Sequence, residues 1–419
     1  MRIIDINNKE ELKRIKQRSK QDFELAVARV NPVIKDIKTS GDKALIKYTK
    51  NYDSVDLTKN TLQISKSDIE RAYKKVDKET ISAIKKAKVT IEKCAKLQLP
   101  KEWKKQLKAG ITVGQLVRPL DSVGCYVPGG NFPLPSTALM TIIPAKVAGV
   151  KEIIVCTPPK KNSDAIIVAA DIAGADKIFR VGGSQAIAAM AYGTETIPKV
   201  NKIVGPGNIF VTAAKKLVYG DVGLDFLAGP SEIMIFAEKG NVKIIAADLL
   251  SQAEHDVLSS SIFITTNKNL AKQVQAEVER QLIALSATNA SESIRKNGAI
   301  IIADNINNAF DLINDFAPEH LEILSDNNSL LKKVRNAGAV FLGSYSPEIA
   351  GDYAIGNHVL PTAGFAKIRA GLNTSDFIKT PFVQQLTKQG LKSIKDTVIK
   401  LADIEGLKAH RKSVEERFK

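Results

Sequence analysis

The sequence predicts an α/β protein built from two Rossmann-like, incomplete, doubly wound domains with small helical terminal segments. From Val123 to Tyr345, short β-rich runs alternate with helical runs, one strand–helix unit in about 25 residues. That alternation implies a mostly parallel sheet with helices on both faces. The runs form two series. The first is "VGCYVP", "EIIVCTP", "KIFRVG" and "KIVGPG"; the second is "EIMIFAE", "SIFITT", "AIIIADN", "HLEIL" and "AVFLGSY". Glycine-rich turns follow the first series: "VPGGNFPLPST", "VGGSQAIAA" and "VGPGNIFVTAAKK". In open α/β sheets ligands bind beyond the carboxyl ends of the strands, where such turns fall. No GxGxxG string occurs, so the standard dinucleotide fingerprint is absent.

Taken in order, residues 8–118 read as amphipathic helices with one weak strand region. "DFELAVARVNPVIKDIKTSGDKALIKYTKNYD" repeats apolar residues at three- and four-residue spacing. "SKSDIERAYKKV" opens on Ser and Asp, both helix N-cap residues. "STALMTIIPAKVAG" and "DAIIVAADIAGA" are the helices between the first strands. From about Ser375 the chain reads as a charged helical tail that packs on something else, another subunit being one option.

Composition narrows the function classes. The formal net charge of +16 comes mostly from Lys, set on helical faces among Glu and Asp. No aromatic-rich basic loop accompanies it, so nucleic-acid binding is not expected. No apolar run reaches the roughly 20 residues that span a bilayer, and no membrane association is expected. The start, "MRIIDINNKEELKRIK", lacks the apolar core of a signal peptide. Cys94, Cys125 and Cys156 are odd in number and far apart, which is no disulfide framework. A cytoplasmic protein is expected.

The four histidines carry the chemistry. His255 lies three residues after Gln252, His320 follows Glu319, His358 lies six after Asp352, and His410 lies five after Glu405. Histidine with carboxylate is the ligand set of a borderline metal such as zinc. HExxH is absent, which removes a zincin-type protease, though a zinc hydrolase could use the same groups. "FAPEHLEI" sets Glu319 beside His320, either an acid–base pair or an exposed loop pair.

The strings "YVPGGNFPLPSTALM", "VGPGNIFVTAAKKLVYGDVGLDFLAGPSEI", "DLLSQAEHD", "FAPEHLEI" and "GDYAIGNHVLPT" together resemble the histidinol dehydrogenases, in order and spacing, over nearly the whole chain. The resemblance implies oxidation of L-histidinol through bound L-histidinal to L-histidine, the last steps of histidine biosynthesis. It implies two NAD+, one Zn2+ per subunit and a homodimer. By motif, Gln252, His255, Asp352 and His410 would hold zinc, His410 and Glu405 reaching into the partner's site. Ser231, His358 and Glu405 would join the ligands and His320 in holding substrate. His320 would take protons in both oxidations, and Glu319 would activate the water between them. Tyr126, Gln185 and Asn208 would contact NAD. The expected division is a segment 1–19, a discontinuous catalytic domain 20–125 with 232–373, a cofactor domain 126–231, and a dimer-forming tail 374–419. One departure stands out: Asp352 and His358 are one residue closer than the family pattern. A thiohemiacetal on Cys125 or Cys156 is not expected, since no His or Lys adjoins either.

Overall fold

The computed structural model describes residues 1–16, 23–129, 133–160, 162–227 and 229–419. Two parallel sheets organise it. The six-stranded sheet runs Arg2–Asp5, Ala299–Ile302, Ser260–Thr265, Glu232–Phe236, His320–Ile323, Ala339–Leu342. The five-stranded sheet runs Lys177–Arg180, Glu152–Thr157, Ser122–Tyr126, Lys202–Val204, Gly223–Leu224. Every strand of the two expected series is present. The strands of the sheet centres are buried on both faces, as in Ser260–Thr265 and Glu232–Phe236. Helices cover both sides, which is why these runs are continuously apolar and do not alternate.

Each sheet has one point where its strand order reverses. In the five-stranded sheet this lies between Ser122–Tyr126 and Lys202–Val204. In the six-stranded sheet it lies between Glu232–Phe236 and His320–Ile323. The strand Arg2–Asp5 was not foreseen; it pairs with Ala299–Ile302 and closes one edge.

The packing groups the chain differently from the expected division. The helix Phe23–Asp53, kinked at Gly41, packs on Gly183–Tyr192 and Ile209–Val218. Lys66–Lys75 packs on Asp164–Ala173, and Lys78–Leu97 on Pro135–Ala148. Residues 23–97 therefore share their cores with the five-stranded sheet, joined by Val359 and Leu372 from the 232–373 stretch. The reason is physical: these helices are amphipathic covers, and the nearest uncovered apolar helices belong to that sheet. The expected boundary at residues 19 and 20 lies outside the described residues.

The segment after residue 374 is not wholly helical. Ile378–Lys379 pairs with Arg118–Pro119. Phe382–Leu386 adds to a hairpin of Trp103–Lys108 and Ile111–Gln115. Three helices follow, Lys388–Lys392, Lys395–Ile404 and Lys408–Glu415. Leu401, Ile404 and Phe382 are exposed on this part of the chain. No helix of the described residues is long and apolar enough to cross a membrane.

Candidate active site

Glu319 and His320 stand at the amino edge of the six-stranded sheet, beside its reversal point. The helix Ile306–Phe316 ends on Ala317 in the left-handed conformation, and Pro318 cannot continue it. The strand then begins at His320, opposite Ile233. The carbonyls of Pro318 and Glu319 accept from Gly338 N and Ala339 N, which fixes the pair's backbone.

Two helices end at the same edge. Val242–Ala253 returns from the far edge of the sheet and brings Gln252 in its last turn; Glu348–Tyr353 brings Asp352. The carboxyl ends of helices carry partial negative charge, a setting that favours a cation. A Cβ at Gly351 would meet the Phe341 ring at 2.7 Å, so only glycine lets the Asp352 helix lie this close. The His320 ring stacks on the same Phe341 at 6.0 Å.

Glu319 and His320 are both buried. His320 Nδ1 lies 3.0 Å from the Glu232 carbonyl, which can only accept, so Nδ1 carries a proton. The proton-accepting atom of the neutral ring is therefore Nε2. It is buried and lies 3.5 Å from Asp352 Oδ1, with no other partner among the described residues. Glu319 Oε2 accepts from Glu232 N at 2.7 Å and lies 3.6 Å from His320 Nδ1. Burial pushes the Glu319 carboxyl up to about 8, against the pull of His320. Burial also opposes charge on His320, but Glu319 and Asp352 outweigh it and raise the imidazole to about 9. Burial would raise Asp352 too; the hydrogen bond and charge of His320, with His358 and His255, hold it below the usual carboxylate range.

The residues present fit a metal ion. Gln252 is 1% exposed, and its Oε1 is buried without a donor. A buried amide oxygen with nothing to accept is the place for a cation. Asp352 supplies a carboxylate, and His255 is close enough for its charge to act on Asp352 and His358. His255, three residues after Gln252, lies two residues past the helix end. His410 and Glu405 are not brought to this site; both are exposed on the terminal helices. Ser231, half-buried, immediately precedes Glu232, and its carbonyl accepts from Ser260 N.

The five-stranded sheet presents its carboxyl edge. Tyr126 ends a central strand, and its hydroxyl accepts from Gly183 N at 3.0 Å. Gln185 is buried at the start of Gly183–Tyr192, with Nε2 3.4 Å from Asp53 and Oε1 unpartnered. Asn208 caps Ile209–Val218 through Oδ1, so the amide N–H group is what it offers a ligand. These three residues surround the reversal point of that sheet, where open α/β sheets hold ligands. Cys125 and Cys156 are buried in its strands, and burial pushes Cys125 up to about 12, far from a reactive thiolate.

The family model described as histidinol dehydrogenase matches residues 16–418. The chain belongs to the histidinol dehydrogenase family. It is 47% identical to the histidinol dehydrogenase of Methanothermobacter thermautotrophicus, over 96% of each chain. It is 48% identical to that of Clostridium acetobutylicum, over 97% of this chain and 95% of the relative. The crystal structure of the enzyme from Elizabethkingia anophelis superposes with a TM-score of 0.94 at 40% identity, covering 100% of this chain and 98% of that one.

Against the family pattern, the short Asp352–His358 spacing can now be placed. His358 Nδ1 lies 2.9 Å from the Asp352 carbonyl, and Nε2 lies 2.8 Å from Thr137 Oγ1. Thr137 opens the helix Pro135–Ala148 at the carboxyl edge of the five-stranded sheet. His358 thus braces the Asp352 edge of the six-stranded sheet to the carboxyl edge of the five-stranded one. Burial keeps it neutral, below its ordinary value.

Sequence reasoning missed a layer beneath the site. Asp248, Glu322 and Glu348 are buried, with ligand oxygens all within 4.8 Å of one another. Asp248 lies four residues before Gln252, Glu348 four before Asp352, and Glu322 two after His320. One carboxyl therefore hangs from each element that carries a nominated residue. Ser251 Oγ donates to Glu348, and Glu348 N donates to Glu322 at 2.8 Å. Burial, then mutual repulsion, push Asp248 and Glu322 well above the carboxylate range. The signals available in the sequence were the four-residue offsets that place Asp248 and Glu348 on the helix faces of Gln252 and Asp352, and the two-residue offset that places Glu322 on the strand face of His320.

Proposed function

We propose that this chain oxidises L-histidinol to L-histidine in two successive dehydrogenations, with NAD+ as acceptor and one zinc ion per subunit. The observation that carries the reading is the buried His320 Nε2, facing Asp352 at an edge where Gln252 leaves an amide oxygen unpaired. Overall, one alcohol, two NAD+ and one water give one carboxylate, two NADH and three protons.

Gln252, His255 and Asp352 would hold zinc with His410 of a second copy of the chain. Zinc bound there would orient the amino and imidazole groups of the substrate as a template. The neutral His320 ring keeps its proton on Nδ1, against the Glu232 carbonyl, and a cation held beside Asp352 would favour that neutral form. Its Nε2 then takes the hydroxyl proton as hydride leaves the substrate carbon. Glu319 orients a water for addition to the aldehyde and accepts its proton. His320 repeats its role on the resulting hydrate. The brace from His358 to Thr137 keeps the cofactor side and the substrate side in register, and Tyr126, Gln185 and Asn208 line the cofactor side. Ser231 and Glu405 complete the substrate contacts. The exposed Leu401, Ile404 and Phe382 fit a tail that docks on a second subunit, in a cytoplasmic homodimer.

Metal analysis tests the reading. The purified protein should hold one zinc per chain and form NADH from histidinol. Gln252→Ala should retain zinc about tenfold or more weakly, while Gln252→Glu should keep it. Full zinc retention in Gln252→Ala would remove Gln252 from the ligand set.

A further inference from the structure

We propose that the buried Lys215–Asp225 ion pair is a positioning device for the cofactor, setting the backbone of the Gly205–Asn208 turn. The inference rests on the reading of Tyr126, Gln185 and Asn208 as the cofactor side.

Lys215 and Asp225 have side chains 2% and 0% exposed, with Nζ 2.7 Å from Oδ1. Both polar backbone atoms of Gly205 end on this pair. Lys215 Nζ donates to the Gly205 carbonyl at 2.5 Å, and Asp225 Oδ2 accepts from Gly205 N at 2.8 Å. The two peptide planes that meet at Gly205 are therefore held from one side by a single ion pair. Asp225 Oδ1 also accepts from Phe226 N at 2.7 Å, which fixes the carboxylate itself.

The conformation held is one that needs holding. Gly205 has φ +118, and a Cβ there would lie 2.1 Å from the Tyr126 carbonyl oxygen. Glycine reaches such angles freely but leaves them as freely. The turn thus lies flat on the last residue of the strand Ser122–Tyr126, and three residues on the chain reaches Asn208. Lys215 stands two turns into the helix that Asn208 caps and reaches back to the turn that opens it. Arg369 adds a third tie. Its Nη1 donates to the Asp225 carbonyl, its guanidinium lies 4.8 Å above the Phe226 ring, and Nη2 lies 2.9 Å from Asp376 Oδ1.

A pair of apolar side chains would fill the same space without making these bonds. Replacing a buried ion pair by apolar residues is often neutral or stabilising, whereas removing one partner strands a charge. Double variants therefore separate positioning from folding. The experiment is steady-state kinetics on full-length, zinc-loaded protein: wild type, Lys215→Met with Asp225→Leu, Lys215→Met with Asp225→Asn, and Asn208→Asp. The Met/Leu protein should melt lower, by the backbone groups left unpaired, but fold and keep its zinc content and KM for histidinol. Its KM for NAD+ should rise roughly tenfold. The Met/Asn protein, whose amide oxygen still accepts from Gly205 N, should fall between it and wild type. Asn208→Asp keeps the helix cap but removes the amide N–H group, and should raise the same KM. A folded Met/Leu protein with a wild-type KM for NAD+ overturns the inference; if that protein does not fold, the Met/Asn protein carries the same comparison. Should Asn208→Asp also leave KM for NAD+ unchanged, the cofactor reading itself fails.

Discussion

At the scale of single residues, Glu319 and His320 differ in what their neighbours leave open. Glu232 engages both through its backbone, taking His320 Nδ1 at its carbonyl and donating its N–H to Glu319. Only Nε2 of His320 is left clear of that backbone, and it faces Asp352; it is the atom proposed to act as base. Glu319 has a carboxyl pushed up to about 8 by burial, a value suited to moving a proton to and from water near neutral pH. The two roles are separable. Glu319→Gln should slow oxidation of histidinal about 10²-fold while slowing oxidation of histidinol less, measured with each substrate supplied alone. An equal loss with both substrates would take the water step away from Glu319. The adjacency of the two residues was plain in "FAPEHLEI", and the family resemblance implied the division of labour; the backbone contacts of Glu232, remote in sequence, were not legible.

Elements, one scale up, determine whether such residues meet. A strand and two helices converge on the site, and each brings one carboxyl of the Asp248–Glu322–Glu348 group beneath it. Burial raises the Asp248 and Glu322 carboxyls, so the folded state holds protons that the unfolded chain releases in the ordinary range near pH 4. The stability this contributes is complete below that range and is lost as pH rises toward the raised values. Glu322→Gln, neutral at every pH, should flatten the fall in urea-unfolding stability of the metal-free protein between pH 5 and about 9. An unchanged slope would show that Glu322 is already ionised in the folded state. The strands themselves were legible because parallel, doubly covered strands read as unbroken apolar runs such as "SIFIT" and "AIII". Arg2–Asp5 was not legible, since a four-residue edge strand of mixed polarity carries no such run. Phe382–Leu386 was missed for a similar reason: it pairs with a hairpin some 270 residues earlier, and local pattern says nothing of that partner.

For the whole molecule, the Asp352 edge of the six-stranded sheet and the carboxyl edge of the five-stranded one are joined through His358 and Thr137. Which residues belong to which half was the least legible feature. Helices 23–97 precede every strand of the two sheets except Arg2–Asp5, and amphipathic helices carry no label for the sheet they cover. The tail bears directly on assembly, because His410 and Glu405 stand exposed on the terminal helices. Mixing His410→Ala chains with His320→Ala chains should restore about a quarter of wild-type activity. Random pairing makes half the dimers mixed, and each mixed dimer would hold one intact site. No recovery would mean that each site is built from one chain.

The central claim is a four-electron oxidation at one site, and its most direct measurement is the NADH formed per histidinol consumed at completion, read at 340 nm with NAD+ in excess. The account predicts two NADH per histidinol, with histidine as the product. One NADH per histidinol, with histidinal accumulating, would contradict it.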